Sequence, residues 1–166
     1  MKTYQLLLGN CEDLLSDFLE ALFREACRGR AVVECTRTGQ AGEFTRLGCE
    51  RPFDLIIGIP GNLRPETSPP TPMGHLGEGI RAVREIKTAR KTPIVAIVGV
   101  EERARYEALL LEAGADCVLE LPFDGDQLTS AVTRLLRLPV RLEHYHSKRW
   151  FFAGILMRGL RLLSQA

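Results

Sequence analysis

The chain has 166 residues, 45% hydrophobic and 26% charged, which suits one packed domain with an appendage and is too short for two ordinary domains. The 22 Lys and Arg residues nearly balance the 21 Asp and Glu residues, so a net charge of +1 gives no general case for nucleic-acid binding. The five cysteines include no Cys-x-x-Cys pair, which argues against a disulfide framework or zinc ribbon and favours a cytoplasmic location.

The first half of the chain alternates apolar runs with segments of helical period. Tyr4–Leu8 is predicted as a buried strand and is too short for the core of a signal peptide. Glu12–Cys27 predicts a helix, because its large apolar residues return every three or four positions. Ala31–Cys35 predicts a second strand. Gly39–Cys49 predicts a short helix that is weakened by three glycines. Phe53–Ile59 is rich in apolar and β-branched residues and predicts the central strand.

A proline-rich loop follows the third predicted strand. Five prolines between Pro60 and Pro72 disfavour regular structure, and loops this long inside a compact domain are often functional. The loop from Pro60 to Gly74 is therefore a candidate contact surface. We place His75 with this loop and expect a solvated side chain.

The second half of the chain repeats the alternation of helices and strands. Helix ends in this half are marked by acidic residues in a first turn, by a glycine just after a last turn, and by an aspartate that can cap a helix start. Five strands and five helices in strict alternation predict a right-handed, doubly wound parallel sheet. The elements predicted here are a helix at Leu76–Arg90, a strand at Pro93–Val100, a helix at Glu101–Ala113, a strand at Cys117–Leu119, and a helix capped by Asp124 or Asp126 that runs to Leu138 before Pro139.

Three stretches resemble the receiver domain of two-component response regulators, within a match that covers residues 3–138. Phe53-Asp-Leu-Ile-Ile is similar to the start of the receiver's third strand, Thr92-Pro-Ile-Val-Ala-Ile-Val to its fourth, and Glu112-Ala-Gly-Ala-Asp-Cys-Val-Leu-Glu-Leu-Pro-Phe to its fifth. The resemblance implies a flavodoxin-like α/β fold, with a five-stranded parallel sheet in the order 2-1-3-4-5 and five flanking helices. It also implies a cis peptide bond between Leu121 and Pro122.

The residues that carry phosphotransfer in receivers are missing at the matching positions. In that family an aspartate after the third strand accepts the phosphoryl group, acids after the first strand bind Mg²⁺, and a hydroxyl residue and a lysine hold phosphoryl oxygens. The resemblance therefore implies a degenerate pseudo-receiver that is neither phosphorylated nor an enzyme and needs no cofactor or metal. The matching positions hold Gly9 and Asn10 for the acids, Ile59 or, one residue earlier, Gly58 for the aspartate, Val98 for the hydroxyl residue and Leu121 for the lysine.

Two interpretations of these positions are open. Either apolar side chains simply fill this edge of the sheet, or a different ligand occupies the space over Gly9, Asn10, Gly58 and Gly61, where open α/β sheets bind ligands. The second interpretation makes the chain a small-ligand sensor or an enzyme. No Gly-x-Gly-x-x-Gly or Walker loop supports a nucleotide as that ligand.

By analogy with receivers, the chain is expected to bind another protein through its fourth helix, fifth strand and fifth helix. No helix-turn-helix pattern follows residue 138, so a transcription factor is disfavoured. The candidate contact residues on this face are Arg105, Tyr106, Leu109, Asp124 and Gln127.

Residues 139–166 predict a C-terminal, basic amphipathic extension beyond the receiver-like residues 1–138. From Arg141 to Ala166 there are five basic side chains and one acidic one, and residues 148–163 have the period of a helix. This helix either folds back on its own domain, pairs with another chain as a homodimer or with a signalling partner, or lies on a membrane surface. Its candidate contact residues are Arg149, Trp150, Phe151, Ile155, Arg158 and Arg161.

Overall fold

A computed structural model describes residues 2–9, 13–27, 31–63 and 74–138. In these ranges five strands alternate with five helices. The strands are β1 (Lys2–Gly9), β2 (Ala31–Thr38), β3 (Leu55–Gly58), β4 (Ile94–Gly99) and β5 (Cys117–Leu121). The helices are α1 (Asp13–Ala26), α2 (Ala41–Glu50), α3 (Gly74–Ala89), α4 (Val100–Ala113) and α5 (Gly125–Leu135).

The five strands form one parallel sheet in the order β2-β1-β3-β4-β5. This order and the alternation of elements confirm the predicted doubly wound fold. The predicted cis peptide bond between Leu121 and Pro122 is also present. Because Gly9 pairs with Gly58, β1 and β3 end side by side at the carboxyl edge of the sheet.

Alternate residues of the buried strands face two separate cores, as the two-residue period of a strand requires. Leu7 faces the side covered by α2, α3 and α4, which we call the three-helix core. Leu6 and Leu8 face the side covered by α1 and α5, which we call the two-helix core. With helices on both faces, the interior of the sheet is apolar throughout.

The helix predicted over Gly39–Cys49 is present as α2, a regular helix of ten residues. It includes Gly48, where a Cβ atom would lie 2.6 Å from Ile86 Cδ1 of α3. This glycine, predicted only to weaken the helix, therefore allows α2 to pack closely on α3.

The proline-rich segment begins with regular structure, which the prediction missed. Pro60–Asn62 forms a 3₁₀ turn, because proline at the start of a turn already has a suitable φ angle. His75 belongs to α3 rather than to the loop, since α3 starts at Gly74. The rest of the candidate loop surface, residues 64–73, lies outside the described residues.

The helix α5 ends three residues before the predicted end at Leu138. Arg137 has a left-handed backbone with φ of 52°, and the Leu138 amide donates to the Thr133 carbonyl at 2.8 Å. This bond spans five residues, the pattern of a Schellman cap, and Leu138 is buried in the two-helix core. A local cap therefore ends α5 before Pro139 is reached.

Asn10 and the whole predicted extension, residues 139–166, lie outside the described residues. Of the helices in the described ranges, none has both the length and the apolar character needed to cross a bilayer.

Candidate functional site

The positions matched to receiver chemistry lie together at the carboxyl edge of the sheet. Just beyond β3, the Ile59 amide donates to the Gly9 carbonyl at 2.8 Å, so β1 and β3 stay joined past their last paired residues. Val98 lies near the end of β4, and Leu121 ends β5 beside Gly99. The sheet register therefore places Gly9, Gly58, Ile59, Val98 and Leu121 along the same edge of the sheet.

Apolar side chains fill this edge. Ile59 is 4% exposed in the two-helix core, and Val98 is 1% exposed in the three-helix core. Leu121 is half-buried and packs against the two-helix core. None of the three side chains can accept or hold a phosphoryl group, so this part of the sequence interpretation agrees with the packing.

The space beside Gly9 and Gly58 is occupied by the ring of Phe44 from α2. A Cβ atom at Gly9 would lie 2.5 Å from Phe44 Cδ2 and Cε2, and one at Gly58 would lie 3.1 Å from Phe44 Cζ. Phe44 itself is 1% exposed. The two glycines make room for an aromatic ring, so the predicted free space for a ligand beside them is wrong.

A carboxylate lies beside Gly61, the third glycine of that predicted space. Glu102 Oε2 accepts a hydrogen bond from the Gly99 amide at 2.9 Å, and Glu102 Oε1 would lie 3.0 Å from a Cβ atom at Gly61. Glu102 thus closes the first turn of α4 across the end of β4. The acids at the start of α4 were predicted only to favour the helix dipole, although their spacing from Gly99 is that of a cap.

Two further carboxylates, one near this edge and one at the opposite edge, form hydrogen bonds of their own. Glu43 Oε2 accepts a hydrogen bond from the hydroxyl of the buried Thr38 at 2.6 Å. Asp54 lies at the opposite edge, where its carboxylate accepts from the Gln5 amide at 2.8 Å. Among the described residues, no three His, Cys, Asp or Glu side chains are grouped so that they could hold a metal ion.

The cysteines of the described ranges pack as small hydrophobic residues. Cys27 is buried, and Cys35, Cys49 and Cys117 are half-buried against the two cores. Burial, reinforced by the charge of Glu20, raises the pKa of the Cys35 thiol to about 12. Burial also raises the pKa of Cys49 and of Cys117, so the thiols of Cys35, Cys49 and Cys117 are not activated as nucleophiles.

No family model and no curated protein matches this sequence. Among solved structures, the receiver domain of the sensor histidine kinase PA1611 from Pseudomonas aeruginosa is similar, with a TM-score of 0.61 and 19% identity over 81% of this chain and 98% of that one. The chain has a receiver fold. The PA1611 receiver holds a magnesium ion in its active-site cleft.

Two further structures support the receiver fold. A putative response regulator from Chloroflexus aurantiacus gives a TM-score of 0.62 and 20% identity over 82% of this chain and 99% of its own. NtrX from Brucella abortus gives a TM-score of 0.63 and 17% identity over 98% of this chain, but over only 30% of NtrX. These likenesses establish the fold.

The side chains at this edge of the receiver fold do not suit magnesium. Mg²⁺ prefers carboxylate and water oxygens in octahedral geometry, which needs both charge and room. Gly9 and Ile59 offer no side-chain oxygen, and the Phe44 ring fills the adjoining volume. These two positions of the described site therefore supply no side-chain ligand for a magnesium ion.

On the candidate partner face of the receiver fold, the predicted residues differ in availability. Arg105 and Leu109 are exposed, whereas Tyr106 packs partly against the three-helix core. Asp124 and Gln127 are exposed but serve as a reciprocal cap for α5: Asp124 Oδ1 accepts from the Gln127 amide at 2.8 Å, and Gln127 Oε1 accepts from the Asp124 amide at 3.0 Å. Their exposure alone does not mark them as contact residues.

The prediction missed the ion pairs that connect α4 with β5. Arg103 pairs with Glu107 of the same helix at 3.1 Å and with Glu120 of β5 at 3.4 Å. All three side chains lie at the surface and are partly exposed, so the pairs add little stability. They fix the side chains along this face, and the i,i+4 spacing of Arg103 and Glu107 is the sequence signal that could have revealed the first pair.

Proposed function

We propose that this chain is a pseudo-receiver: a regulatory module that acts through protein–protein contacts and does not depend on aspartyl phosphorylation. The observation that carries the proposal is the packing of the Phe44 ring against Gly9 and Gly58 at the carboxyl edge. A phosphoryl group needs polar donors and solvated volume, and burying its charge against apolar side chains is costly. This edge offers the buried side chains of Ile59 and Val98 instead.

Non-catalytic signalling is the activity most consistent with this site. The carboxylates Glu43 and Glu102 are engaged in hydrogen bonds to Thr38 and Gly99, and Asp54 lies at the far edge of the sheet. We infer that residues 1–138 form the pseudo-receiver and residues 139–166 an extension, and that the protein works in the cytoplasm without a cofactor. The alternative of a small-ligand sensor loses its main support, because the space beside two of its glycines is filled.

Incubation with acetyl phosphate and Mg²⁺ tests this proposal. The expected result is no gain of phosphate mass on the intact protein, whereas a receiver with a complete acidic pair, aspartate and lysine is labelled in parallel. A Mg²⁺-dependent phosphate adduct that hydroxylamine removes would be an acyl phosphate and would overturn the proposal. Such labelling should be mapped by peptide mass spectrometry, with Asp13, Glu43, Asp54 and Glu102 as the described carboxylates to inspect first.

The contact surface we propose is the face formed by α4, β5 and α5. It combines exposed Arg105 and Leu109 with the ion pairs of Arg103 to Glu107 and Glu120. Substituting Arg105 and Leu109 together should weaken partner capture without lowering stability, because neither side chain is buried.

A further inference from the structure

The helix α4 leaves most of its apolar surface uncovered. Of its 14 residues only Leu110 and Ala113 are buried, while Val100 is 57% and Leu111 48% exposed. Successive spacings of four, four and three residues put an exposed set on one helix face. We call this set the α4 stripe: Val100, Ala104, Ala108 and Leu111.

Acidic side chains border the α4 stripe. With about 100° between successive residues, Glu101 and Glu112 lie along one side of the stripe and Glu107 along the other. Glu107 is paired with Arg103, whereas Glu101 and Glu112 form no ion pair within residues 74–138 or the other described ranges. The helix carries four Glu and two Arg residues, so the surface around the stripe is negative.

We propose that the α4 stripe is covered by residues 148–163 of the same chain, a segment whose sequence has the period of an amphipathic helix. This segment has four basic side chains and no acidic one, so its charge complements that of α4. It also has an apolar face that could cover the stripe, formed by Phe152, Leu156, Leu160 and Leu163. The inference deepens the proposed function, on which it rests for the role of α4 as the contact surface: partners compete with the chain's own extension.

Chain length and direction permit this contact. The helices α4 and α5 both run antiparallel to the strands, so the end of α5 lies at the same edge of the sheet as Leu111. The helices α4 and α5 lie on opposite faces of the sheet, so the connection must pass around the edge strand β5. The nine residues 139–147 can span about 30 Å, which leaves room for this path. A helix of residues 148–163 would be about 24 Å long, close to the roughly 21 Å of α4.

The single tryptophan of the chain reports directly on this contact, because Trp150 lies in the covering segment. In the full chain, Leu111→Glu should lower the fluorescence anisotropy of Trp150 and add a fast phase to its anisotropy decay, because release of the segment increases its local motion. Leu14→Glu is the matched control: Leu14 is 60% exposed on α1, away from α4, and this variant should leave both signals unchanged.

A second variant tests the same contact from the other side. Leu160→Asp should reproduce the fall in Trp150 anisotropy caused by Leu111→Glu, and the double variant should show little further change, because both substitutions break the same contact. Light scattering and circular dichroism verify that each variant is a folded monomer. Unchanged Trp150 signals in both variants would overturn the proposal.

Two other outcomes would also overturn it. If the anisotropy of Trp150 rises only as protein concentration and mean mass rise together, the stripe is covered by a second copy. If the anisotropy rises only with phosphatidylserine vesicles, the extension binds a lipid surface. Acyl-phosphate labelling would overturn the proposed function without changing the Trp150 result, so failure of the proposed function can be distinguished from failure of the α4 contact.

Discussion

The two edges of the sheet have opposite chemistry. At the amino edge, side-chain carboxylates bind the backbone: Asp116 Oδ2 accepts from the Ile94 amide at 2.8 Å and from Lys87 Nζ at 2.6 Å, and Asp54 Oδ2 accepts from the Gln5 amide. At the carboxyl edge, apolar groups pack around the Phe44 ring. Beside β1 and β3 the carboxyl edge is thus part of the core, although Glu102 accepts a hydrogen bond from the Gly99 amide at the end of β4. At the amino edge, polar side chains tie the strands together.

Removing the ring tests the carboxyl edge most severely. Phe44→Ala should lower the free energy of unfolding by about 3–5 kcal/mol, because it leaves a cavity in a buried, well-packed core. Denaturant titration measures the change, with the exposed Val32→Ala as the control. A loss of unfolding free energy below about 1 kcal/mol would mean that Phe44 is not packed in a core at the carboxyl edge, and the two edges would then not differ as described.

The fit between the ring and the strands can be tested from the glycine side. Gly9→Ala should cost about 1–3 kcal/mol, because its Cβ would lie 2.5 Å from two ring carbons. In a Phe44→Leu background the same substitution should cost clearly less, since a smaller side chain leaves room. A double-mutant cycle of unfolding free energies measures this coupling, and simple additivity would contradict direct contact.

At the amino edge, Asp116→Ala should cost about 1–2 kcal/mol, because the buried Ile94 amide loses its carboxylate acceptor. Lys87→Met removes the ion pair but keeps that hydrogen bond, so it should cost less than about 1 kcal/mol. Both values come from denaturant titration. Equal losses in the two variants would show that the ion pair, and not the backbone hydrogen bond, is what matters here.

The smallest expected effect concerns Cys35. Burial, followed by the charge of Glu20, raises the pKa of this thiol from 9.0 to about 12, so the folded protein holds the proton more tightly than the unfolded chain. The resulting stability is complete below pH 9 and is lost as the pH rises from 9 towards 12. Cys35→Ala should therefore make the fall of unfolding free energy above pH 9 shallower.

Alkylation checks the same shift independently. At pH 9, iodoacetamide should modify Cys35 more slowly in the folded protein than in urea, as followed by mass spectrometry of the peptide. Equal rates in the two states would show that the thiol is not protected.

The fold was predictable because its signals are local. Each buried strand is an apolar run, and the apolar residues of each helix return every three or four positions. Two predicted helix ends are real caps: Gly114 has φ of 109° after α4, and Asp124 accepts a hydrogen bond from the Gln127 amide at the start of α5. The resemblance to receivers supplied the strand order and the cis bond before Pro122. These features depend either on residues that are close in sequence or on the known architecture of the receiver fold.

The filling of the site was not predictable, because it depends on how α2 lies over the sheet. Phe44, Gly9 and Gly58 are far apart in sequence, and a glycine after a strand signals free space as readily as a close contact. The end of α5 was missed for a related reason: Arg137 takes a left-handed conformation that sequence patterns assign to glycine or asparagine. In both cases tertiary packing decides what a local pattern leaves open.

The cap at the end of α5 also sets a boundary for engineering this protein. Leu138 is the last described residue. Its side chain packs in the two-helix core, and its amide donates a hydrogen bond to the Thr133 carbonyl. A tag or fusion partner joined after residue 138 should therefore leave the receiver fold undisturbed. Joining at residue 135, where the helix itself stops, would remove the anchor that holds the helix end in place.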